Sequence, residues 1–158
     1  MDGPLNASEF RQSMPLHLIK LCVGCDTVEE LEGWIAARLK EKKKRGHKPE
    51  RFHTTRMLPK RAAELTDGGS LFWVIKGQLM CRERILDIRP FRDADGISRC
   101  RIVMNGKVKL VSPRPYRAFQ GWRYLDDSDA PGDLDRAAPG AAAMPEPLRR
   151  ELRELGLL

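Results

Sequence analysis

Cys22-Val23-Gly24-Cys25 is the tightest grouping of reactive side chains in the chain. Two thiols at this spacing can exchange with disulfides or share a metal, and a thiolate beside a helix N-terminus is stabilised by the helix dipole. Neither use is completed by the residues around it. No succession of βαβ units follows, as it would in a thioredoxin, and Cys81 and Cys100 form no second close pair for zinc. The expectation is buried or incidental thiols, with no metal and no cofactor. His17, His47 and His53 are dispersed, no two of them at metal-ligand spacing. His53, beside Thr54, Thr55 and Arg56, reads either as lining a pocket or, more ordinarily for a strand histidine, as a structural hydrogen-bonding residue. There is no nucleophile elbow, P-loop, dinucleotide fingerprint or zinc-protease motif. Gly68-Gly69-Ser70 lacks the Lys that a phosphate loop requires and reads as a turn.

Charge carries more. The 158 residues sum to +7, but residues 36 to 125 hold 23 basic and 8 acidic side chains, a net of +15. The segments on either side, 1 to 35 and 126 to 158, are each at −4. Such a field attracts polyanions. Eight of the ten aromatic residues fall in the basic segment, several next to Arg, as in Arg51-Phe52, Tyr116-Arg117 and Trp122-Arg123-Tyr124. Single-stranded nucleic acid needs this pairing, because cations hold phosphates while flat rings stack on bases. The expected contacts are Arg56, Lys60, Arg61, Lys76, Arg117 and Arg123 on phosphates, with Trp73 and Trp122 as stacking faces. The plainer alternative is alternation along strands, with aromatics in the core and Arg outward.

These side chains need elements to hold them. Pro15 to Cys22 alternates as a strand. Thr27-Val28-Glu29-Glu30 is a capping box, and Val28, Leu31, Trp34 or Ile35, and Leu39 form the stripe of a long amphipathic helix. Lys42 to Arg45 suit its C-terminal dipole, with Gly46 as the C-cap. Arg51 to Leu58 reads as a short strand and Pro59 to Leu65 as one or two helical turns. Ser70 to Lys76, apolar on both faces, reads as a central strand. Leu79 to Phe91 is a longer strand, returned through Asp95-Gly96 by Ile97 to Met104. Asn105-Gly106 predicts a second hairpin into Lys107 to Ser112, which Pro113 and Pro115 end. Tyr116 to Leu125 is the last strand.

The fold class expected is α+β: a small, mostly antiparallel β-barrel with one long N-terminal amphipathic helix and a short C-terminal helix. One domain over 14 to 125 follows a disordered leader, 1 to 13. An acidic Pro/Ala-rich linker, 126 to 147, leads to a helix over 148 to 158, where Leu148, Leu152 and Leu155 share a face. The longest large-apolar run is Leu71-Phe72-Trp73-Val74-Ile75, far below the roughly 18 residues of a membrane span. With Asp2 and Glu9 and no apolar stretch at the start, a cytoplasmic protein is expected.

Four blocks in order resemble a bacterial family. They are His17 to Gly24, Thr55-Arg56-Met57-Leu58-Pro59-Lys60-Arg61-Ala62, Gly68 to Gly77 and Phe119-Gln120-Gly121-Trp122-Arg123-Tyr124-Leu125. The family is the domain-of-unknown-function 1489 family. The likeness covers residues 14 to 130 and implies no activity. More loosely, the turn, apolar strand, Gly and long strand from Gly68 to Ile88 are similar to the pseudobarrels of PUA-like domains, including the ASCH and EVE branches. That resemblance implies binding of RNA or of modified bases. Of the ASCH signature, Glu83 and Arg84 are present and the matching Lys is absent.

The leading expectation is a module binding RNA, or single-stranded or modified nucleic acid. The alternative from the PUA-like resemblance is a small amidohydrolase acting on a modified nucleoside. There Lys60 or Lys76 would activate Thr54 or Thr55, and Glu64 or Glu83 would shuttle protons. A third is an adaptor that engages a protein partner through the C-terminal helix.

Overall fold

The computed structural model describes residues 15–134. The leader and the C-terminal helix expected from the sequence lie outside them. The elements are β1 (Leu16–Leu21), α1 (Val28–Lys44), β2 (Arg51–Thr55), α2 (Ala62–Thr66), β3 (Ser70–Ile75), β4 (Gln78–Arg92), β5 (Ser98–Met104), β6 (Lys109–Pro115) and β7 (Trp122–Asp126), then a 3-10 turn at Asp127–Asp129. They make a mixed α+β fold with one seven-stranded sheet and two helices. The order along the sheet is β2-β5-β4-β3-β1-β7, with β6 on β4. β1 runs parallel to β3, reached through α1, β2 and α2, and the other ladders are antiparallel.

Local chemistry explains the best-defined elements. Thr27 caps α1, its hydroxyl accepting from the Glu30 amide at 3.1 Å, while the Glu30 carboxylate accepts from the Asp26 amide at 2.9 Å. All six residues of β3 are buried, as an apolar strand between β1 and β4 must be. Its odd-numbered residues Leu71, Trp73 and Ile75 pack under Val28, Leu31 and Ile35 of α1. Phe72 and Val74 point the other way, to Ile19, Leu79, Val111 and Leu125, with Tyr116 and Phe119 over them. The sheet therefore has a helix-side face and a far face, each with its own core.

The ladders do not close into the expected barrel, because the path ends at β2 and at β7. The sheet is instead strongly coiled, so that Arg51 and His53 of β2 reach Glu83 of β4 and Trp73 of β3. The turns depart from expectation too. Lys76 and Gly77 have φ of 49° and 74° and close a two-residue hairpin between β3 and β4, with both residues left-handed as that turn requires. Asp95-Gly96 does join β4 to β5, but Asn105-Gly106 makes no hairpin. β5 and β6 lie end to end along β4, pairing with 85–92 and 78–82 respectively. β6 continues through Pro113 and Pro115, which lack a donor but sit on a strand whose one ladder is to β4. The last strand begins only at Trp122, after Gly121 at φ 70°.

The stretch from Asp126, acidic enough to read as linker, stays on the domain through Leu134, which is buried. Asp127 accepts from His17 at 2.8 Å, and Asp133 takes both Nε and NH2 of Arg82, at 2.8 and 2.9 Å. The His17 Nδ1 accepts from the Ser70 amide at 2.9 Å, so its proton is on Nε2. Asp133 cancels the charge of Arg82 at the far face, while the exposed Asp127 anchors the buried, neutral His17.

Candidate functional site

A cleft of about 220 Å³ opens on the helix side, where the end of β1, the Cys22–Cys25 turn, α1 and β2 converge. Its floor is Trp73, which is 2% exposed and donates its indole N–H to Glu83 at 2.7 Å. Glu83 is fully buried and also accepts from Arg51 twice, from Nε at 3.0 Å and from NH2 at 2.9 Å. Alternation along β4 puts Cys81, Glu83 and Ile85 on this face, so the carboxylate is delivered to the core beside an Arg that satisfies it. This triad fixes the orientation of Arg51 and Trp73.

His53 forms one wall, edge-on to Trp73 at 5.3 Å and 89°. Its Nε2 is buried without a hydrogen-bond partner. Burial, reinforced by the nearby Lys20 and Arg51 charges, pushes its pKa down to about 4, so the ring is neutral at pH 7. Cys22 and Cys25 form the opposite wall. Burial first, then the neighbouring Cys25, pushes the Cys22 thiol up to about 12.

At the mouth stands Trp34, 43% exposed. The Arg38 guanidinium lies 4.6 Å from its ring centre and that of Arg51 lies 5.5 Å away. Beyond it a second groove of about 380 Å³ shares Trp34, Arg51 and His53 with the first and runs over Lys42 and Phe52. Lys42 sits 4.0 Å over Phe52, and Arg101 lies 4.8 Å from Phe52 and 4.4 Å from Phe91. Cations and rings thus alternate from α1 across β2 to β5 and β4. Each such contact contributes about 0.5–1 kcal/mol at an exposed site while leaving the positive charge in place.

The eight residues singled out from the sequence do not converge. Trp73 is core, hydrogen-bonded to Glu83, and presents no stacking face. Trp122 is half-buried, edge-on to Tyr124, and donates to the Met57 carbonyl at 2.8 Å. Arg61 lies over Tyr124 and is bidentate to Glu64, with Lys60 exposed beside it. Arg56 lines a separate shallow basic hollow with Arg92 and Arg99. On the far face, Arg123 lies over Phe119 at 4.7 Å. Lys76 is at an exposed turn, whose Gly77 carbonyl accepts from Tyr116, and Arg117 is in the exposed loop after it. The hydrolase set is also scattered: Glu83 is locked by Arg51, Glu64 by Arg61, and both lysines are on the outside.

What the sequence reading missed is Trp34, Arg38, Lys42 and Arg101. The available signal was their i, i+4 spacing, Trp34 to Arg38 to Lys42, which puts one ring and two cations on one helix face. Among the described residues no group of three or more His, Cys, Asp or Glu side chains converges as a metal site, and no helix is long and apolar enough to cross a membrane. A family model described as "Protein of unknown function (DUF1489)" matches residues 18–158. No curated protein and no solved structure matches the chain.

Proposed function

We propose that this chain, which belongs to the DUF1489 family of proteins of unknown function, binds single-stranded RNA across its helix-side cleft. The observation that carries the reading is Trp34, a large exposed ring flanked by Arg38 and Arg51 at the mouth of the cleft. A base stacks on the indole, or on the flat guanidinium lying against it, while Arg38, Lys42 and Arg101 hold the phosphates. The cleft holds about 220 Å³, below the roughly 300–1,000 Å³ of sites for drug-sized ligands, so it takes one ring rather than an extended molecule. The neutral His53 edge then faces that ring. In this reading the coiled open sheet is an incomplete barrel of the PUA-like kind, and the protein works on RNA in the cytoplasm. Of the phosphate contacts expected from the sequence, Lys76 at its turn, Arg117 in its loop and Arg123 on the far face add to the general field and are not contacts in this reading.

Fluorescence anisotropy of labelled single-stranded RNA and duplex DNA over a salt series tests this. Binding should prefer the single strand and weaken linearly in log salt. Base stacking on one ring contributes about 1–3 kcal/mol, so Trp34→Ala should weaken RNA binding roughly tenfold or more. Arg38→Glu should weaken it and flatten the salt slope, whereas Lys76→Glu with Arg123→Glu should do little. No binding at low salt would sink the function. Loss in the far-face pair with none in Trp34→Ala would sink the site.

A further inference from the structure

We propose that Cys22 and Cys25 are a thiol–disulfide exchange pair set in the wall of the cleft. The backbone between them is a turn at Val23 and Gly24, with Gly24 at φ 91°. A turn of four residues brings its end Cα atoms within about 7 Å, and disulfides span about 4.4–6.8 Å. The pair therefore oxidises without refolding β1 or α1. Both are half-buried and line the same cleft, and Val23 at the tip of the turn is 89% exposed, which lets a bulky disulfide approach. Cys81 and Cys100 are buried in the core, out of reach of such a reagent.

Burial holds Cys22 as a thiol, which leaves Cys25, nearer the N-terminus of α1, as the attacking sulfur. The co-reactant is a small-molecule disulfide such as glutathione disulfide. The Cys25 thiolate attacks one of its sulfurs, forming a mixed disulfide and releasing one glutathione thiolate. That thiolate takes the proton of Cys22, whose sulfur then attacks the Cys25 sulfur and expels the second glutathione. Two protein thiols are oxidised to one disulfide, and one glutathione disulfide is reduced to two thiols.

The full chain is equilibrated in glutathione buffers of increasing oxidised fraction, and intact mass, thiol count and tryptophan fluorescence are read. The wild type should lose two hydrogens and fall from four free thiols to two, with peptide mapping placing the bond at Cys22–Cys25. Fluorescence should fall at the same buffer ratio, because Trp34 and Trp73 line the cleft with the sulfurs. Cys22→Ser should stop at a glutathione adduct on Cys25, and Cys25→Ser should stay reduced at Cys22. A wild type that keeps four thiols, ends as a stable adduct, or bridges Cys81 or Cys100 would overturn the proposal. RNA affinity takes no part in these readouts, so this result stands or falls apart from the binding result.

Discussion

Acidification should unfold this protein in a way that a single substitution removes. His53 has its pKa pushed down to about 4, with burial as the main cause and Lys20 and Arg51 adding to it. In the unfolded chain the same ring titrates near 6.5. The folded state therefore binds this proton less readily than the unfolded state. The stability His53 contributes is complete above pH 6.5 and drains away as pH falls towards 4. A shift of about 2.5 units at about 1.36 kcal/mol each sets a ceiling near 3 kcal/mol, with about 1 kcal/mol gone by pH 5.5. The assay is urea unfolding at pH 7.5, 5.5 and 4.5 for wild type and His53→Gln, which keeps a planar polar group that does not titrate. His17 is also shifted down, because its burial outweighs the pull of Asp127, and Asp87 and Asp93 are held down by Arg89 and Arg99; these respond equally in both proteins. The difference between the two curves should therefore narrow by 1–3 kcal/mol as pH falls. Parallel curves would show that the ring charges freely in the folded state and that the wall of the cleft is wet.

Three further outcomes follow from the same geometry. Glu83→Gln leaves Arg51 charged and buried without its partner, and should cost about 3–5 kcal/mol in chemical denaturation. Gly69→Ala puts a Cβ at 2.2 Å from the Leu16 carbonyl oxygen and 2.4 Å from that of Leu65, both backbone; a loss of about 3 kcal/mol or more, seen as a lowered Tm, should result. Lys76→Asn suits a residue held at φ 49° better than Lys does, and should raise stability by about 0.5 kcal/mol while leaving RNA affinity unchanged.

How far the fold can be read from the sequence depends on whether the deciding interaction is local. The Thr27 box decides its own helix within four residues, and β3 declares itself by being apolar on both faces. Asn105-Gly106 misleads because the dipeptide reports a turn but not which strand receives the chain; only Gly106 is left-handed here, and β4 is long enough to take β5 and β6 in succession. The acidic stretch after Asp126 misleads for a related reason. Its composition is that of a solvated linker, yet the buried His17 and the half-buried Arg82, more than 50 residues away, bond to its carboxylates. The site suffers most, since Trp34 and Ile35 fit the helix stripe equally well by spacing. Only packing chooses Ile35 for the core and turns Trp34 outward, 3% against 43% exposed.

The cations of this sheet are of two kinds, paired with a carboxylate or held against a ring, and that difference bears on where an anion would settle. On the far face Arg82 is spent on Asp133, so its charge is cancelled where it stands. Arg38 on the helix side, and Arg101 on the face of β5 turned away from the core residues Cys100 and Ile102, lie against rings, and a ring attracts a guanidinium without neutralising it. Arg101 also keeps a buried Nε that no group among the described residues accepts from. Its charge is held in place by Phe52 and Phe91 and remains available to a phosphate. Arg101→Gln should thus lower the slope of log affinity against log salt by about one, because one fewer phosphate is neutralised, at little cost in stability. Arg82→Gln should instead destabilise the fold, because it strands the Asp133 carboxylate, while leaving the slope alone in protein that still folds. Equal slopes in wild type and Arg101→Gln would mean that the file of rings and cations is only packing.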